Sequence, residues 1–298
     1  MIIQKLKKAL KWTTPYGIVE FSRNFRRDYK YSYPYLRYKD PEIFKTLNKN
    51  RILNNTHKNQ RCFILGTGPS INKIDINKLK NEHCIFLSQF YLHKDYQHIS
   101  PKYHLFSGMT PHLNGKATYD HWLKFFKQIE DSVPVKTALF MNYFDKNFIL
   151  KHGFFSKHNV YYSCFKKDLK KIFKDKINLT QVLYGATGIP IMAIQLAIGM
   201  GFKEIYLLGI DCCWDKETHA SHFYKTEASV VDHLGLTPDD ILANLDRIED
   251  EYRAYLSLLD QFRALNTFGK SQGINIFNAT KGGVLEIFNR VNYDSLFK

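Results

Sequence analysis

From residue 61 onward, short apolar runs alternate with longer segments whose apolar residues recur at helical spacing. Short runs rich in β-branched and aromatic residues are typical of buried strands. Strands that are separated by helices favour a parallel sheet covered by those helices. The runs that predict strands are CFIL (62–65), CIFL (84–87), YHLFSG (103–108), TALFMN (137–142), NVYYS (159–163), IYLLGID (205–211) and INIFNAT (274–280).

Helical segments are predicted near residues 74–80, 117–130, 188–201 and 238–268. The last is the clearest, because Leu245, Ile248 and Tyr252 belong to a series of apolar residues spaced three or four apart. The predicted fold class is therefore α/β, a Rossmann-like and mostly parallel sheet with helices on both faces. A basic N-terminal arm, helical or extended, is expected to precede it.

The positive charge of the chain is concentrated in this arm, residues 1–60. It has 14 Lys and Arg against 4 Asp and Glu, so it carries +10 of the net charge of +15. Within residues 2–12 an apolar stripe lies beside lysines, which suits an amphipathic helix on an anionic membrane surface. A helix packed on its own domain is the alternative. Residues 61–298 are expected to form one further domain.

Charge, hydropathy and cysteine content exclude several classes of protein. Residues 61–298 are only mildly basic and have no RNA-binding signature such as an aromatic RNP strand or a basic GXXG loop, so nucleic acid is not an expected partner. No run of 18 uncharged apolar residues occurs, and the N-terminus is a poor secretory signal. The 5 cysteines form no CxxC pair, which favours a reducing compartment and argues against structural zinc. We expect a cytoplasmic protein, peripheral on the inner face of the membrane.

The segment GTGPS, residues 66–70, follows the first predicted strand. Open α/β sheets bind ligands outside the carboxyl ends of their strands. Gly66 and Gly68 would let the backbone approach a phosphate, and Ser70 would add a hydroxyl donor. The segment matches neither GxGxxG nor a phosphate loop ending in GK[ST], so an ordinary tight turn stays open. If the segment binds a nucleotide, Gly68→Val is expected to abolish binding while the domain stays folded.

A second candidate site lies in YGATGIPIMAIQLAIGMGFKEIYLLGIDCCW, residues 184–214. Thr187 is placed as the N-cap of a predicted helix, where the helix dipole could hold an anion. Gly201 breaks that helix, and the next strand delivers Asp211 at its carboxyl end. A bare helix cap for Thr187 and a turn-capping carboxylate for Asp211 are the alternatives.

A third candidate site is THASHFYKTE, residues 218–227, in which His219 and His222 lie three apart. Histidine titrates near neutrality, so either ring could take a proton from an acceptor hydroxyl. A zinc pair is conceivable, but a third ligand is not obvious. A surface or structural histidine is the other alternative.

The motifs CFILGTGPSINKID, IFLSQFY, GATG, GFKEIYLLGID and SHFY resemble, in content and order, two related bacterial groups. One is the sialyltransferases of glycosyltransferase family 42, whose pattern runs GNGPS, NQFY, TSG, GYKEIYLSGIDFY and a later histidine. The other is the MptE-like proteins, many of them from surface-polysaccharide loci, to which the closing INIFNATKGGVLEIF (274–288) is more similar. The resemblance begins at residue 61 and leaves the basic arm outside.

The resemblance implies that residues 61–298 are a GT-A-like variant of the Rossmann fold, a nucleotide-sugar-binding catalytic domain. CMP-sialic acid, or a related CMP-nonulosonic acid, would lie across the carboxyl edge of the sheet. Thr67 and Ser88 stand where the family has Asn, and no histidine follows shortly after SHFY. Either His222 has taken the catalytic role, or the chemistry differs. The residues implied to bind the nucleotide are Gly66, Thr67, Gly68, Pro69, Ser70, Ser88, Gln89, Thr187, Gly188 and Asp211.

The predicted function is an inverting glycosyltransferase that moves a nonulosonic acid from a CMP donor to a cell-surface glycan or glycolipid, in lipopolysaccharide or capsule biosynthesis. His222, or else His219, would be the general base, and Lys225 would stabilise the departing phosphate. No cofactor or metal is expected, because Asp239-Asp240 is better explained as a helix start than as a DxD motif. The basic arm would hold the enzyme on the inner face of the bacterial membrane.

Two other functions stay open. The first is an MptE-like diphosphokinase, which would transfer diphosphate to 6-hydroxymethylpterin or a related acceptor from ATP, with Mg²⁺ held by Asp211 and Asp215. The second is a non-catalytic assembly protein that docks on membranes through its arm and keeps a degenerate nucleotide fold. A homo-oligomer is possible under each.

Overall fold

The computed structural model describes residues 40–99, 101–108, 119–167, 176–212, 222–224 and 245–297. The chain divides into two compact units, residues 1–45 and 46–298. A short helix, α1 (Pro41–Leu47), begins in the described part of the first unit. The basic arm predicted over residues 1–60 falls mainly outside the described residues, so its boundary and its membrane contact stay predictions.

The second unit is built on strands that run in parallel. They are β1 (Arg61–Leu65), β2 (Cys84–Leu87), β3 (Tyr103–Leu105), β4 (Ala138–Asn142), β5 (Val160–Ser163), β6 (Phe165–Lys167), β7 (Leu183–Tyr184), β8 (Glu204–Leu208), β9 (Asn275–Asn278) and β10 (Asn289–Arg290). An 8-stranded sheet has the order β10-β9-β8-β1-β2-β3-β4-β5, and β6 pairs with β7 separately. Every pairing among the described strands is parallel, which confirms the predicted sheet. Each predicted strand is present, and the short strands β6, β7 and β10 were not predicted.

The α-helices that the structure describes in the second unit are α2 (Tyr119–Ser132), α3 (Lys146–His152), α4 (Ile189–Gly199) and α5 (Leu245–Ser271). The helix predicted near 74–80 is wrong, because that segment forms the 3₁₀ turns Pro69–Lys73 and Ile76–Leu79. Its buried apolar residues, Ile76 and Leu79, lie three apart, a spacing that puts residues on one face of a 3₁₀ helix and of an α-helix alike. Among the helices that the structure describes, none has the length and apolar character that crossing a membrane requires.

Both faces of the sheet are covered, as the sequence pattern predicts. Ile64 of β1 packs on one face with Ile194 of α4 and Phe262 of α5. Its neighbour Phe63 points to the opposite face and packs with Phe126 of α2. Successive residues of a strand face opposite sides of the sheet, so a strand that is buried on both sides must be apolar throughout. The uninterrupted apolar run of β1 follows from this two-sided packing.

The strand order changes direction between β1 and β8. From β1 the chain proceeds to β2 on one side, whereas from β8 it proceeds to β9 on the other side. Loops that leave two such strands diverge and open a crevice at the carboxyl edge of the sheet. The GTGPS segment follows β1, and Asp211 follows β8, so the topology places two of the predicted sites at this crevice.

Candidate functional site

The GTGPS loop is tied to the end of β8 by its own backbone. The amide of Gly66 donates to the Leu208 carbonyl at 2.8 Å, and that of Gly68 donates to the Gly209 carbonyl at 2.9 Å. The amide of Ser70 donates to Asp211 Oδ2 at 3.1 Å. These three amides therefore already have partners within the protein. A phosphate that approaches this loop would therefore not be bound by these three amides, and its approach stays a prediction.

Glycine is required at 66 and 68 for a different reason, the close approach of the two loops. A Cβ on Gly66 would lie 2.5 Å from the Gly209 carbonyl oxygen. A Cβ on Gly68 would lie 2.1 Å from Asp211 Oδ2 and 2.7 Å from the Gly209 oxygen. All three distances are far inside van der Waals contact. This geometry argues against the expectation that the domain stays folded in Gly68→Val, because the side chain would push β1 and β8 apart at their carboxyl ends.

Asp211 and Ser70 present buried polar atoms that no described residue bonds. Asp211 is 8% exposed and Ser70 is 4% exposed. One carboxylate oxygen, Asp211 Oδ2, accepts from the Ser70 amide, but neither Oδ1 nor Ser70 Oγ has a hydrogen-bond partner within the described part of the chain. A buried polar atom without a partner is costly, by about 1–3 kcal/mol. Such a pair at the carboxyl edge of a sheet points to a ligand that completes it.

The segment His222–Tyr224 lies on the GTGPS loop. The Nδ1 atom of His222 is 3.0 Å from Thr67 Oγ1, and the amide of Phe223 donates to the Thr67 carbonyl at 2.8 Å. The Tyr224 ring stacks on the His222 ring, with centroids 5.0 Å apart and planes inclined by 7°. The Phe223 ring packs against that of Phe90, 5.4 Å away. The structure thus brings the third predicted site to the first, while His219 and Lys225 lie outside the described residues.

Ser88 and Gln89 follow β2 and lie next to this segment. Ser88 has a φ of +49°, the left-handed conformation that is unfavourable for a residue with a side chain. Gln89 is buried, and its Oε1 accepts a long hydrogen bond of 3.4 Å from the Tyr224 hydroxyl. Non-glycine residues in this conformation cost about 1–3 kcal/mol and cluster at functional sites. Ser88 and Gln89, which the family resemblance implies bind the nucleotide, are therefore linked to His222 through Tyr224.

Thr187 is not the N-cap of α4, which corrects the sequence prediction. Gly188 occupies that position, with no side-chain cap, and a proline stands in the first turn. Proline fixes its own φ near the helical value, so Pro190 sets the start of the helix. The Thr187 hydroxyl instead bonds to α5, accepting from Gln261 Nε2 at 2.7 Å and lying 3.2 Å from Ser257 Oγ. Thr187 thus joins the loop before α4 to α5.

Two features of the site were missed by the sequence reasoning. Cys212, directly after Asp211, has a φ of +48°, and its carbonyl accepts from the Tyr255 hydroxyl of α5 at 3.2 Å. The Gly283 turn packs on Asp211, because a Cβ on Gly283 would lie 2.6 Å from the Asp211 carbonyl oxygen, and the Val284 amide donates to that oxygen. The Gly282-Gly283 pair after β9 was the available signal for this turn.

No group of three or more His, Cys, Asp or Glu side chains that could hold a metal ion occurs among the described residues. Asp211 is the carboxylate at the crevice. Asp215, the second carboxylate considered for Mg²⁺, lies outside the described residues.

Comparison with known proteins gives a family and a structural similarity. A sequence model of the family described as "6-hydroxymethylpterin diphosphokinase MptE-like" matches residues 40–217, more than half of the chain. The motif resemblance to MptE-like proteins is thereby confirmed. No curated protein matches the chain. The chain is similar to the sialyltransferase CstII from Campylobacter jejuni, solved in complex with a substrate analogue, cytidine-5'-monophosphate. The identity is 17%, the TM-score is 0.43, and the similarity covers 78% of this chain and 85% of that one.

Proposed function

The chain belongs to the MptE-like family, and we propose that it is a transferase that moves a group from a nucleotide donor to an acceptor hydroxyl. The reaction would take place in the crevice where β1 and β8 end. As the finer assignment, we propose an inverting transfer of a nonulosonic acid from a CMP donor to a cell-surface glycan or glycolipid.

The observation that carries this proposal is the contact between His222 and the GTGPS loop. Nδ1 of His222 lies 3.0 Å from Thr67 Oγ1. In the tautomer whose Nδ1–H donates to that hydroxyl, Nε2 holds the lone pair that a general base requires. The stacked ring of Tyr224 and the Phe223 amide bond orient the same imidazole. A histidine held in this way at the ligand edge of the sheet supports a role in proton transfer.

The proposed reaction balances without a redox partner. The acceptor oxygen bonds to the anomeric carbon of the donor, and the bond from that carbon to the phosphate oxygen of CMP breaks. The hydroxyl proton passes to His222, and the electron pair of the broken bond leaves with CMP. A basic group that stabilises the departing phosphate is required, and Lys225 is the proposed candidate.

Asp211 and Ser70 would recognise the uncharged part of the donor. A carboxylate oxygen and a hydroxyl oxygen accept hydrogen bonds well, but a carboxylate repels a phosphate. The partnerless atoms Asp211 Oδ1 and Ser70 Oγ therefore suit the hydroxyl groups of a ribose rather than its phosphate. Because the loop amides of Gly66, Gly68 and Ser70 are already bonded, the phosphate is expected to lie beyond the GTGPS loop.

Diphosphate transfer from ATP is the second candidate, favoured by the family description, which names a 6-hydroxymethylpterin diphosphokinase. Under this function Mg²⁺ would neutralise the transferred phosphates. Of the described residues, Asp211 fits as one ligand through its partnerless Oδ1, and Asp215 would be the other. Peripheral attachment to the inner face of the bacterial membrane through the basic arm is proposed under either function.

A nucleotide panel tests the proposal. CMP and CDP are expected to raise the thermal midpoint of the protein by several degrees, because a ligand that binds only the folded state stabilises it. Asp211→Asn should weaken this response, whereas Asp260→Asn, an exposed carboxylate of α5 paired with Arg263, should not. Stabilisation by ATP with Mg²⁺ alone would favour diphosphate transfer. No stabilisation by any nucleotide would favour a non-catalytic assembly protein.

A further inference from the structure

His104 of β3 is a buried histidine that the sequence did not single out. Its side chain is fully buried, and its ring stacks on that of Phe106, with centroids 4.4 Å apart and planes inclined by 5°. Both ring nitrogens have partners. Nε2 lies 2.7 Å from the Ser88 carbonyl oxygen, and Nδ1 lies 2.7 Å from the Tyr96 hydroxyl.

The hydrogen bonds assign the tautomer of this ring. A carbonyl oxygen can only accept, so His104 Nε2 carries the proton and donates to Ser88, and Nδ1 accepts from Tyr96. Burial lowers the pKa of His104 to about 3, so the ring stays neutral and keeps this tautomer near neutral pH. The donor that faces Ser88 is therefore permanent under ordinary conditions.

The residue that His104 holds is the one with the left-handed backbone at the site. Ser88 has a φ of +49°, and its carbonyl is the acceptor of the His104 bond. The next residue, Gln89, accepts from Tyr224, whose ring stacks on His222. A continuous series of contacts thus runs from the buried ring of β3 to the proposed base.

We propose that His104 is a positioning residue, which holds Ser88 in the left-handed conformation so that Gln89 meets Tyr224 and the His222 ring is kept in place. This inference rests on the proposed function for its effect on binding and turnover. Its conformational part, the coupling between His104 and Ser88, stands without it. In the Ser88→Gly variant the hydrogen bond from His104 is no longer needed to hold this backbone conformation, because glycine adopts positive φ without penalty.

Four substitutions, alone or combined, test the coupling. His104→Phe keeps an aromatic ring but removes the donor, and we expect about tenfold weaker CMP binding by titration calorimetry, equivalent to about 1.4 kcal/mol. His104→Gln can place an amide N–H near the position of Nε2 and should restore most of the affinity. In the Ser88→Gly background, His104→Phe should have less than half of its effect on affinity and on the thermal midpoint. Tyr96→Phe is the matched control, because it removes the other hydrogen bond of the same ring.

The outcomes separate the inference from the proposed function. Native CMP affinity in folded His104→Phe would overturn the inference while the proposed function stands. Equal losses in His104→Phe and Tyr96→Phe would also overturn it, since they would mean only general destabilisation. If the native protein binds no nucleotide, the proposed function fails. The thermal midpoints of the variants then test the coupling between His104 and Ser88. A smaller effect of His104→Phe in the Ser88→Gly background then supports the coupling, and an equal effect refutes it.

Discussion

The imidazole of His222 lies 3.0 Å from the hydroxyl of Thr67, although 155 positions separate them in the chain. Thr67 belongs to the loop after β1, and His222 follows the strand β8 that pairs with β1 in parallel. The two residues meet because parallel neighbours deliver their loops to the same edge of the sheet. The contact joins the predicted ligand loop to an imidazole, the two parts that the proposed transferase would use.

Thr67→Val is expected to lower turnover without unfolding the protein. Valine has the shape of threonine but lacks the hydroxyl that orients His222, and one net hydrogen bond is worth about 0.5–1.5 kcal/mol. We expect a two- to tenfold lower kcat, converted from about 0.5–1.5 kcal/mol, and a changed pH profile. Thr67→Ser keeps the hydroxyl and serves as the control. An unchanged kcat and pH profile in Thr67→Val would mean that the hydroxyl does not orient the ring.

Asp211→Asn is expected to weaken CMP binding. The amide oxygen can still accept from the Ser70 amide, so the loop keeps its shape, but an NH₂ group replaces the partnerless oxygen. Hydrogen bonds to a charged group contribute about 1.5–3 kcal/mol, so we expect roughly 10- to 100-fold weaker binding by calorimetry. If CMP binds this variant as tightly as the native protein, Asp211 does not contact the nucleotide.

Gly68→Ala is expected to destabilise the fold. Its Cβ would lie 2.1 Å from Asp211 Oδ2 and 2.7 Å from the Gly209 oxygen, so β1 and β8 must separate. We expect the free energy of unfolding in urea to fall by about 3 kcal/mol, near the upper end of overpacking effects. Gly153→Ala is the matched control, because nothing lies within 4 Å of its Cβ and only its φ of +69° opposes the change. Equal losses in the two variants would contradict the predicted collision.

The protein is expected to lose stability in acid through its buried histidines. Burial lowers the pKa of His104 from 6.5 to about 3, and burial is also the largest cause that lowers the pKa of His57, His83 and His93. Below pH 6.5 the unfolded chain therefore binds protons that the folded chain does not. Stability is full above that pH and falls as the pH drops towards 3, by at most about 1.4 kcal/mol per unit for a fully shifted group.

Urea denaturation from pH 7 to pH 4 measures this effect for His104. The His104→Gln variant lacks the titrating group, so its unfolding free energy should fall less steeply with decreasing pH than that of the native protein. The difference between the two slopes should correspond to about one proton taken up on unfolding. Comparing the two proteins removes the contribution of the carboxylates, which titrate in both. Parallel curves would show that His104 does not resist protonation in the folded state.

The sheet and the location of the site could be predicted because they depend on local patterns. Apolar runs bounded by glycine mark the strands, and the ends of parallel strands meet at one edge. Asp211, the GTGPS loop and His222 were each identified from their positions after strands or in a polar segment. Their shared location follows from the topology.

The parts that could not be predicted depend on contacts between distant segments. That Gly68 faces Asp211 is a property of two packed loops, so the sequence suggested an approaching phosphate instead. His104 is a single histidine in a strand, and only the fold places it against Ser88. The predicted N-cap at Thr187 is wrong by one residue, because the proline in the first turn of α4 makes Gly188 the N-cap.

The release of CMP from CMP-nonulosonic acid donors in the presence of acceptor tests the role of His222 most directly. We expect His222→Ala to lower kcat by roughly 100- to 10,000-fold, the usual contribution of proton transfer, with donor affinity nearly unchanged. The native rate should rise with pH through one ionisation of histidine type, and His219→Ala should keep that profile. Near-native turnover in a folded His222→Ala protein would contradict the proposed mechanism, and diphosphate transfer would then become the better assignment.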